Sequence, residues 1–230
     1  MHGNITIPGA SANDGLEASV FSPKTGLFYV AVPSFNGNPG GLASIDTSGQ
    51  VQQTFHFDSL GIANISPTGL AIAANGQILV VDGNSSGQSV IFNATTGTIV
   101  ATLPNISGGD QVWYDPTTGR WFVTGRDAAG NRSIAVVDSN TDTIVQMINL
   151  NCSLCNFHSV SVDPISGEIF VPMEASTFSV PDTQCPMGCV AVFADQVAAV
   201  PEPSTWAMML IGFAGLGFAF RQSRRKVSFA

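Results

Sequence analysis

Charge is the first scarcity. Only 10% of the 230 residues are charged, against roughly a quarter in ordinary soluble domains. Basic residues are the rarest: residues 1–200 hold only Lys24, Arg120, Arg126 and Arg132 against fifteen acids, a net of −11. Phosphate backbones need a basic face, so nucleic acid is excluded as a partner. The acidity suits a divalent cation or, more simply, the solubility of a secreted domain. Long charged stretches with helical period are also missing. Gly, Ser, Thr, Asn and Val abound instead, the composition of an all-β, turn-rich chain. The beginning lacks something too. Met1-His2-Gly3-Asn4-Ile5-Thr6 has neither the basic n-region nor the apolar h-region of an export signal.

The end of the chain is different. Val200-Pro201-Glu202-Pro203-Ser204-Thr205 is polar and proline-bearing, Trp206 to Phe220 is apolar without a charge, and Arg221-Gln222-Ser223-Arg224-Arg225-Lys226 is basic. At 1.5 Å per residue the apolar run would span about 22 Å as a helix, short of the roughly 30 Å hydrocarbon core. Local thinning, snorkelling arginines and interfacial Trp206 would close the gap. The basic cluster should stay cytoplasmic, which places everything before Trp206 outside.

Pro201-Glu202-Pro203, then Trp206-Ala207, then Ile211-Gly212-Phe213-Ala214-Gly215-Leu216-Gly217, then Arg221, Arg224 and Arg225 resemble the PEP-CTERM sorting signal of Gram-negative bacteria part for part. The resemblance implies export and an inner-membrane intermediate held by the C-terminal helix. It also implies processing near Pro-Glu-Pro by an exosortase, and a cell-surface or extracellular-matrix destination, often among exopolysaccharides. An ordinary single-span tail anchor would leave the Pro-Glu-Pro-x-x-Trp-Ala order unexplained. Export without an N-terminal signal implies a wrong start site or an N-terminally truncated chain.

The body repeats. Ser19–Val30, Leu70–Val80, Val112–Val123 and Val160–Val171 each read as an apolar run, a turn ending in Gly, and a second apolar run. The turn glycines are Gly26, Gly76, Gly119 and Gly167, a period of 43 to 50 residues. The first three segments continue into a second hairpin: Ala43–Asp46 to Val51–Phe55, Ser89–Phe92 to Ile99–Leu103, and Ile134–Asp138 to Ile144–Ile148. Four short antiparallel strands per repeat make a β-propeller blade. Residues 15–195 loosely resemble the YVTN/NHL-like propellers, a superfamily that includes the senescence-marker/gluconolactonase group.

The expected fold class is therefore all-β: a β-propeller of four recognisable four-stranded blades, a whole ring or part of a larger one, plus a C-terminal transmembrane helix. The expected domains are propeller repeats over 1–196, a linker over 197–205, a transmembrane helix over 206–220 and a basic cytoplasmic tail over 221–230. The fourth repeat lacks an outermost strand. Ile5-Thr6-Ile7 is the unassigned strand-like segment, and it is expected to pair beside Cys189–Phe193 and complete the last blade.

Two sets of residues could carry chemistry. Cys152, Cys155, Cys185 and Cys189 form two tight pairs on loops of one blade face. Export favours disulfides, Cys152 or Cys155 with Cys185 or Cys189, and a four-cysteine zinc site is the alternative. Nine residues before three of the turn glycines stand Glu17, Asp110 and His158; the shorter second turn puts Thr68 or Gly69 there. Such positions line the mouth of a propeller's channel, so these residues form a candidate rim for a divalent cation or another ligand. The plainer reading makes them solvated loop residues or caps on exposed backbone. The gluconolactonase-like enzymes hold a metal at this rim, but their ligands do not map residue by residue onto this chain. Trp113, Tyr114 and Trp121 are aromatic enough to stack a sugar, though packing between blades accounts for most of them. No catalytic residue and no cofactor beyond that cation is assigned. The function expected is an exported binding or scaffold module whose partners are the exosortase, transiently the inner membrane, and exopolysaccharide or surface proteins. A metal-dependent, lactonase-like propeller hydrolase is the competing class.

Overall fold

The turn glycines locate the hairpins. Gly26, Gly76, Gly119 and Gly167 all have positive φ, between +70° and +87°, a backbone region that glycine enters without a Cβ penalty. In the repeat's other turns an Asx side chain does the folding. Asn93 Oδ1 accepts the Thr95 and Thr96 amides, and Asp138 Oδ1 accepts those of Asn140 and Thr141. Asp115 and Asp163 do the same inside the glycine turns, toward Thr117 and Ile165.

A computed structural model describes residues 3–150, 157–174, 188–194, 210–211 and 213–214. The chain divides into two units, Met1–Val197 and Ala198–Ala230. The first unit is all-β. Its first sheet orders β1 (Ser19–Ser22), β2 (Leu27–Phe35), β3 (Asn38–Ile45) and β4 (Val51–His56). The second orders β5 (Pro67–Ile72), β6 (Gln77–Asp82), β7 (Ser89–Asn93) and β8 (Thr98–Leu103). The third orders β9 (Val112–Asp115), β10 (Arg120–Arg126), β11 (Arg132–Asp138) and β12 (Thr143–Asn149). The fourth, among the described residues, has three strands: β13 (Ser161–Val162), β14 (Glu168–Met173) and β15 (Cys189–Ala194). Every pairing is antiparallel, Trp121 facing Tyr114 and Val137 for example. The register slips between the third and fourth strands of each of the first three sheets, at Ser44/Ile45, Ile91/Phe92 and Val136/Val137, and once more in the second sheet between Pro67 and Leu70. The first three bulges fall at one place in the repeat and strengthen the twist there.

Each sheet packs face to face on the next. Tyr29, Ala31 and Leu42 of the first sheet meet Ile78, Val80, Val90 and Phe92 of the second. The alternate residues Leu79, Val81 and Ile91 meet Trp121, Val123, Ala135 and Val137 of the third. Phe122, Ile134 and Val136, alternate again, meet Val162, Ile169 and Val171 of the fourth. Ile78 through Val81 are all fully buried, because their strand is covered on both faces. That is why the middle strands read as unbroken apolar runs and not as alternation. The first strands of consecutive sheets adjoin: β1 contacts β5, β5 contacts β9 and β9 contacts β13. Gly69 stands where they come closest. A Cβ there would lie 2.4 Å from the Asp110 carbonyl oxygen, so the approach of β5 to the third sheet requires glycine.

The expected pairing of Ile5-Thr6-Ile7 beside the last sheet is not found. Residues 3–7 form no strand. Ile7 is instead buried against Val32, Phe35, Ala43 and Ile45, the face of the first sheet turned away from the second. The chain then bridges Ala10 to Phe35, and the Asn36 amide donates to the Gly9 carbonyl. The physical reason is apolar area. That face of the first sheet is apolar, and burying one isoleucine on it is worth about 1.5–3 kcal/mol. Of the second unit, Leu210, Ile211, Phe213 and Ala214 are helical. No helix among the described residues is long and apolar enough to cross a membrane. The expected linker, span and basic tail otherwise lie outside the described residues.

Asp82 closes the loop from β6 to β7 from a fully buried position. Its Oδ1 accepts the Ser66 and Asn84 amides at 2.9 Å each, and the Gln88 amide also lies against the carboxylate. Burial pushes its carboxyl above the usual range, and the Ser66, Asn84 and Gln88 amides oppose the shift only in part. A raised folded-state value means the ionised group opposes folding. The stability it withholds at pH 7 returns as the pH falls through that raised value toward 3.8. Asp82→Asn keeps the acceptor and removes the charge, so this variant should match or exceed the parent at pH 7. Its advantage should shrink between pH 7 and pH 4 in urea titrations. Asp82→Ala strands the amides of half-buried Ser66 and Asn84 and should cost about 1–3 kcal/mol.

Candidate functional site

The strands that adjoin, β1, β5, β9 and β13, carry the aligned positions at or just before their starts. Glu17 precedes β1; its amide donates to the Ala31 carbonyl and its side chain is exposed. Thr68 lies in β5, and its Oγ1 donates to the Val81 carbonyl at 3.3 Å or to the Gly109 carbonyl at 3.2 Å. Asp110 precedes β9 and His158 precedes β13. These two do meet: Asp110 Oδ2 is 2.6 Å from His158 Nδ1. A residue the sequence reading missed completes the group. Glu174, one position past β14, brings Oε1 to 3.5 Å from His158 Nε2.

The imidazole therefore stands between two carboxylates, one from the third sheet and one from its own. Both ring nitrogens point at oxygen anions. Among the described residues, no group of three His, Cys, Asp or Glu side chains is arranged to hold a metal ion. Glu17 does not join Asp110 and His158 in such a group. The chemistry that the geometry does support is adhesion between sheets. Thr124 of β10 adds a second link, its Oγ1 3.4 Å from the His158 carbonyl. The His158 and Asp110 side chains are 53% and 39% exposed, so solvent and salt screen the pair. Glu174 could not have been found from spacing, because it follows its turn glycine where the other three precede theirs.

Among the aromatics, Trp121 is fully buried between the second and third sheets and donates Nε1–H to the Ala71 carbonyl at 3.1 Å. Tyr114 packs 5.8 Å from it, and its hydroxyl accepts the Ala74 amide. Trp113 is 44% exposed. The three do not form one surface for a sugar. One spacing escaped the sequence reading: Gly83-Asn84-Ser85-Ser86-Gly87 has the order of a nucleophile elbow. An elbow needs a strand turning into a helix, and this loop joins the antiparallel strands β6 and β7. Cys189 opens β15 and is not a free thiol. Cys152, Cys155 and Cys185 lie outside the described residues.

Residues 199–226 match the PEP-CTERM protein-sorting motif. No curated protein matches the chain. Solved structures do. Hydrazine synthase of Kuenenia stuttgartiensis is 14% identical with a TM-score of 0.62, over 79% of this chain and 51% of that one. The WD40 domain of Toxoplasma gondii coronin is 12% identical with a TM-score of 0.51, over 70% and 40%. The Dos1 propeller is 13% identical with a TM-score of 0.53, over 68% and 42%. The chain thus spans about half the length of these structures, or less. At such identities the likeness concerns the fold alone: antiparallel sheets that resemble propeller blades, in a chain carrying a sorting motif.

A double-mutant cycle on Asp110→Asn and His158→Asn should give a coupling of about 0.2–1 kcal/mol. It should decline between 0.05 and about 0.5 M salt, where the Debye length contracts. A coupling that stays constant across salt would mean the contact works through packing, not charge. Added calcium or zinc should leave the melting temperature unchanged in the parent and in Asp110→Asn alike.

Proposed function

We propose that this chain is a non-enzymatic, propeller-type binding or scaffold module, delivered by an exosortase to the cell surface or extracellular matrix of a Gram-negative bacterium. The observation that carries the reading is the sorting motif over residues 199–226. Its parts have separable tasks. Trp206–Phe220 holds the membrane during transit, Arg221, Arg224, Arg225 and Lys226 keep the tail inside, and Pro201-Glu202-Pro203 presents the processing site to the exosortase. The blade-like sheets, packed through their first strands, support a module that offers loops at either end of an axis for exopolysaccharide or surface proteins. A rim whose polar groups bond each other across sheets supports binding over hydrolysis.

Removing residues 201–230 should change the fate of the protein from surface-associated to released or degraded. Cell fractionation with an epitope in the propeller unit reads this directly. A truncated protein that reaches the surface in normal amounts would refute the sorting reading.

An oxidising destination also favours linked cysteines, Cys152 or Cys155 with Cys185 or Cys189. Each bridge should contribute about 2–4 kcal/mol to the fourth sheet. Mass spectrometry of the non-reduced exported protein should find the linked peptides. Four alkylatable thiols, or one zinc per chain without linkage, would replace the disulfides with the alternative metal site.

A further inference from the structure

Two asparagines are followed by glycine, Asn36 and Asn75. Asparagine is among the chemically labile side chains, and a glycine after it leaves the next backbone nitrogen unshielded by a Cβ. That nitrogen can attack the carbon of the side-chain amide. The fold gives the two pairs opposite surroundings. Asn36-Gly37 is the two-residue loop between β2 and β3, with Phe35 facing Asn38 across it. Both loop residues have positive φ, +51° and +79°, which accounts for an Asn-Gly pair on folding grounds alone. Both are exposed. A Cβ built on Gly37 would meet nothing within 4 Å, so the turn has room for a small ring and for water. Among the described residues, nothing hydrogen-bonds the Asn36 side-chain amide or the Gly37 backbone amide.

Asn75-Gly76 is held at every atom the reaction needs. Asn75 Nδ2 donates to the Ser139 carbonyl of the third sheet's hairpin at 2.7 Å and to Gln77 Oε1. Its Oδ1 accepts the Gln77 amide at 3.0 Å. The Gly76 amide, which would be the attacking nitrogen, donates to the Ala73 carbonyl at 2.9 Å. Lys24 of the first sheet reaches over this turn. Its Nζ donates to the Asn75 carbonyl at 2.6 Å, and its stem lies against buried Gly76. Ring closure at Asn75 would have to break these bonds and lift Lys24 away.

We propose that Asn36 is a modification site, deamidating spontaneously through a cyclic imide, while Asn75 in the same sequence context is protected by its contacts. The Gly37 nitrogen bonds to Asn36 Cγ and gives up its proton. The Cγ–Nδ2 bond breaks, and ammonia leaves with that proton. Water then opens the imide at either carbonyl. Opening at Cγ gives aspartate; opening at the backbone carbonyl gives isoaspartate, in which the chain runs through Cβ. Either product carries one new negative charge. Isoaspartate also adds an atom to a loop of two residues. The same turn ties down the N-terminal segment: the Asn36 amide donates to the Gly9 carbonyl at 2.8 Å, and the Ser11 amide to the Ser34 carbonyl at 3.1 Å. The isoaspartate form therefore loosens that segment.

The test ages the full chain in mild detergent at alkaline pH, in water enriched in oxygen-18, and follows positions 36 and 75 by peptide mass spectrometry. Each conversion leaves a heavy oxygen in the new carboxylate. In the folded chain, position 36 should convert at least about tenfold faster than position 75, the rate factor to which the net contribution of one hydrogen bond corresponds. In concentrated urea the two should convert at similar rates, because only the shared Asn-Gly sequence then acts. Asn36→Asp supplies the standard that separates the aspartate product from isoaspartate. In the isoaspartate form, the Ser11 amide should exchange its hydrogen about tenfold faster than in the fresh chain. A position 36 that stays intact in the folded chain while it converts in urea overturns the proposal, since the turn would then protect it. Equal rates at 36 and 75 in the folded chain overturn it as well. Unchanged Ser11 exchange in the isoaspartate form overturns the loosening of the N-terminal segment.

Discussion

Burial of the second and third sheets on both faces is the constraint from which the rest of the structure follows. A sheet covered on one face can alternate apolar and polar residues; a sheet covered on both cannot. In β6 the four consecutive residues Ile78 to Val81 are apolar and inaccessible, two directed to the first sheet and two to the third. In β10 and β11, Phe122, Ile134 and Val136 serve one neighbour, and Trp121, Val123, Ala135 and Val137 the other. The low charge content is the same fact expressed in composition. Solvent reaches mainly the outer strands, as the alternating exposure of β8 records.

Double burial makes the joins demanding, because backbone groups where the first strands adjoin must find partners in the protein. The Ala18 amide donates to the Thr68 carbonyl, and the Gly109 amide to the Asp82 carbonyl. Thr68 and Thr124 each reach a carbonyl of the following sheet, Gly109 and His158. The pair Asp110–His158 continues this series with charge added. Seen with its neighbours, it is one more stitch between adjacent sheets.

The repeat was legible in the sequence because its punctuation is chemical. Four turn glycines had to be glycine or pay for positive φ, and Asx residues stood where a turn amide needed an acceptor. Strand order followed, since hairpins joined by such short turns leave little freedom. The position of Ile5–Ile7 was not legible. A three-residue apolar segment fits a sheet edge and a sheet face equally well, and the choice depends on which apolar area is uncovered, a property of tertiary structure. The rim was half legible. Alignment on the turn glycines found Asp110 and His158 but brought along Glu17, which shares their place in the repeat and not their contact. Glu174 sits on the far side of its hairpin, where no alignment of strand starts reaches.

Acidity invited a search for bound cations, and the acids have a different explanation. Asp46 accepts from Ser48, Gln50 and Gln52 within its own turn. Asp127 does so from Ala129 and Asn131, and Asp163 from Ile165 and Ser166. Hydrogen bonds hold these three carboxyls below the usual range, through the Ser48 hydroxyl, the Asn131 amide and the Ile165 amide first. Their stabilisation is therefore present above about pH 4 and is lost as the pH falls through the lowered values. A carboxylate that has folded back on its own loop has its lone pairs directed inward and offers few to a metal. The negative charge of the body is thus largely a by-product of how β-turns are built. What the first unit presents outward is then left to its loops and outer strands.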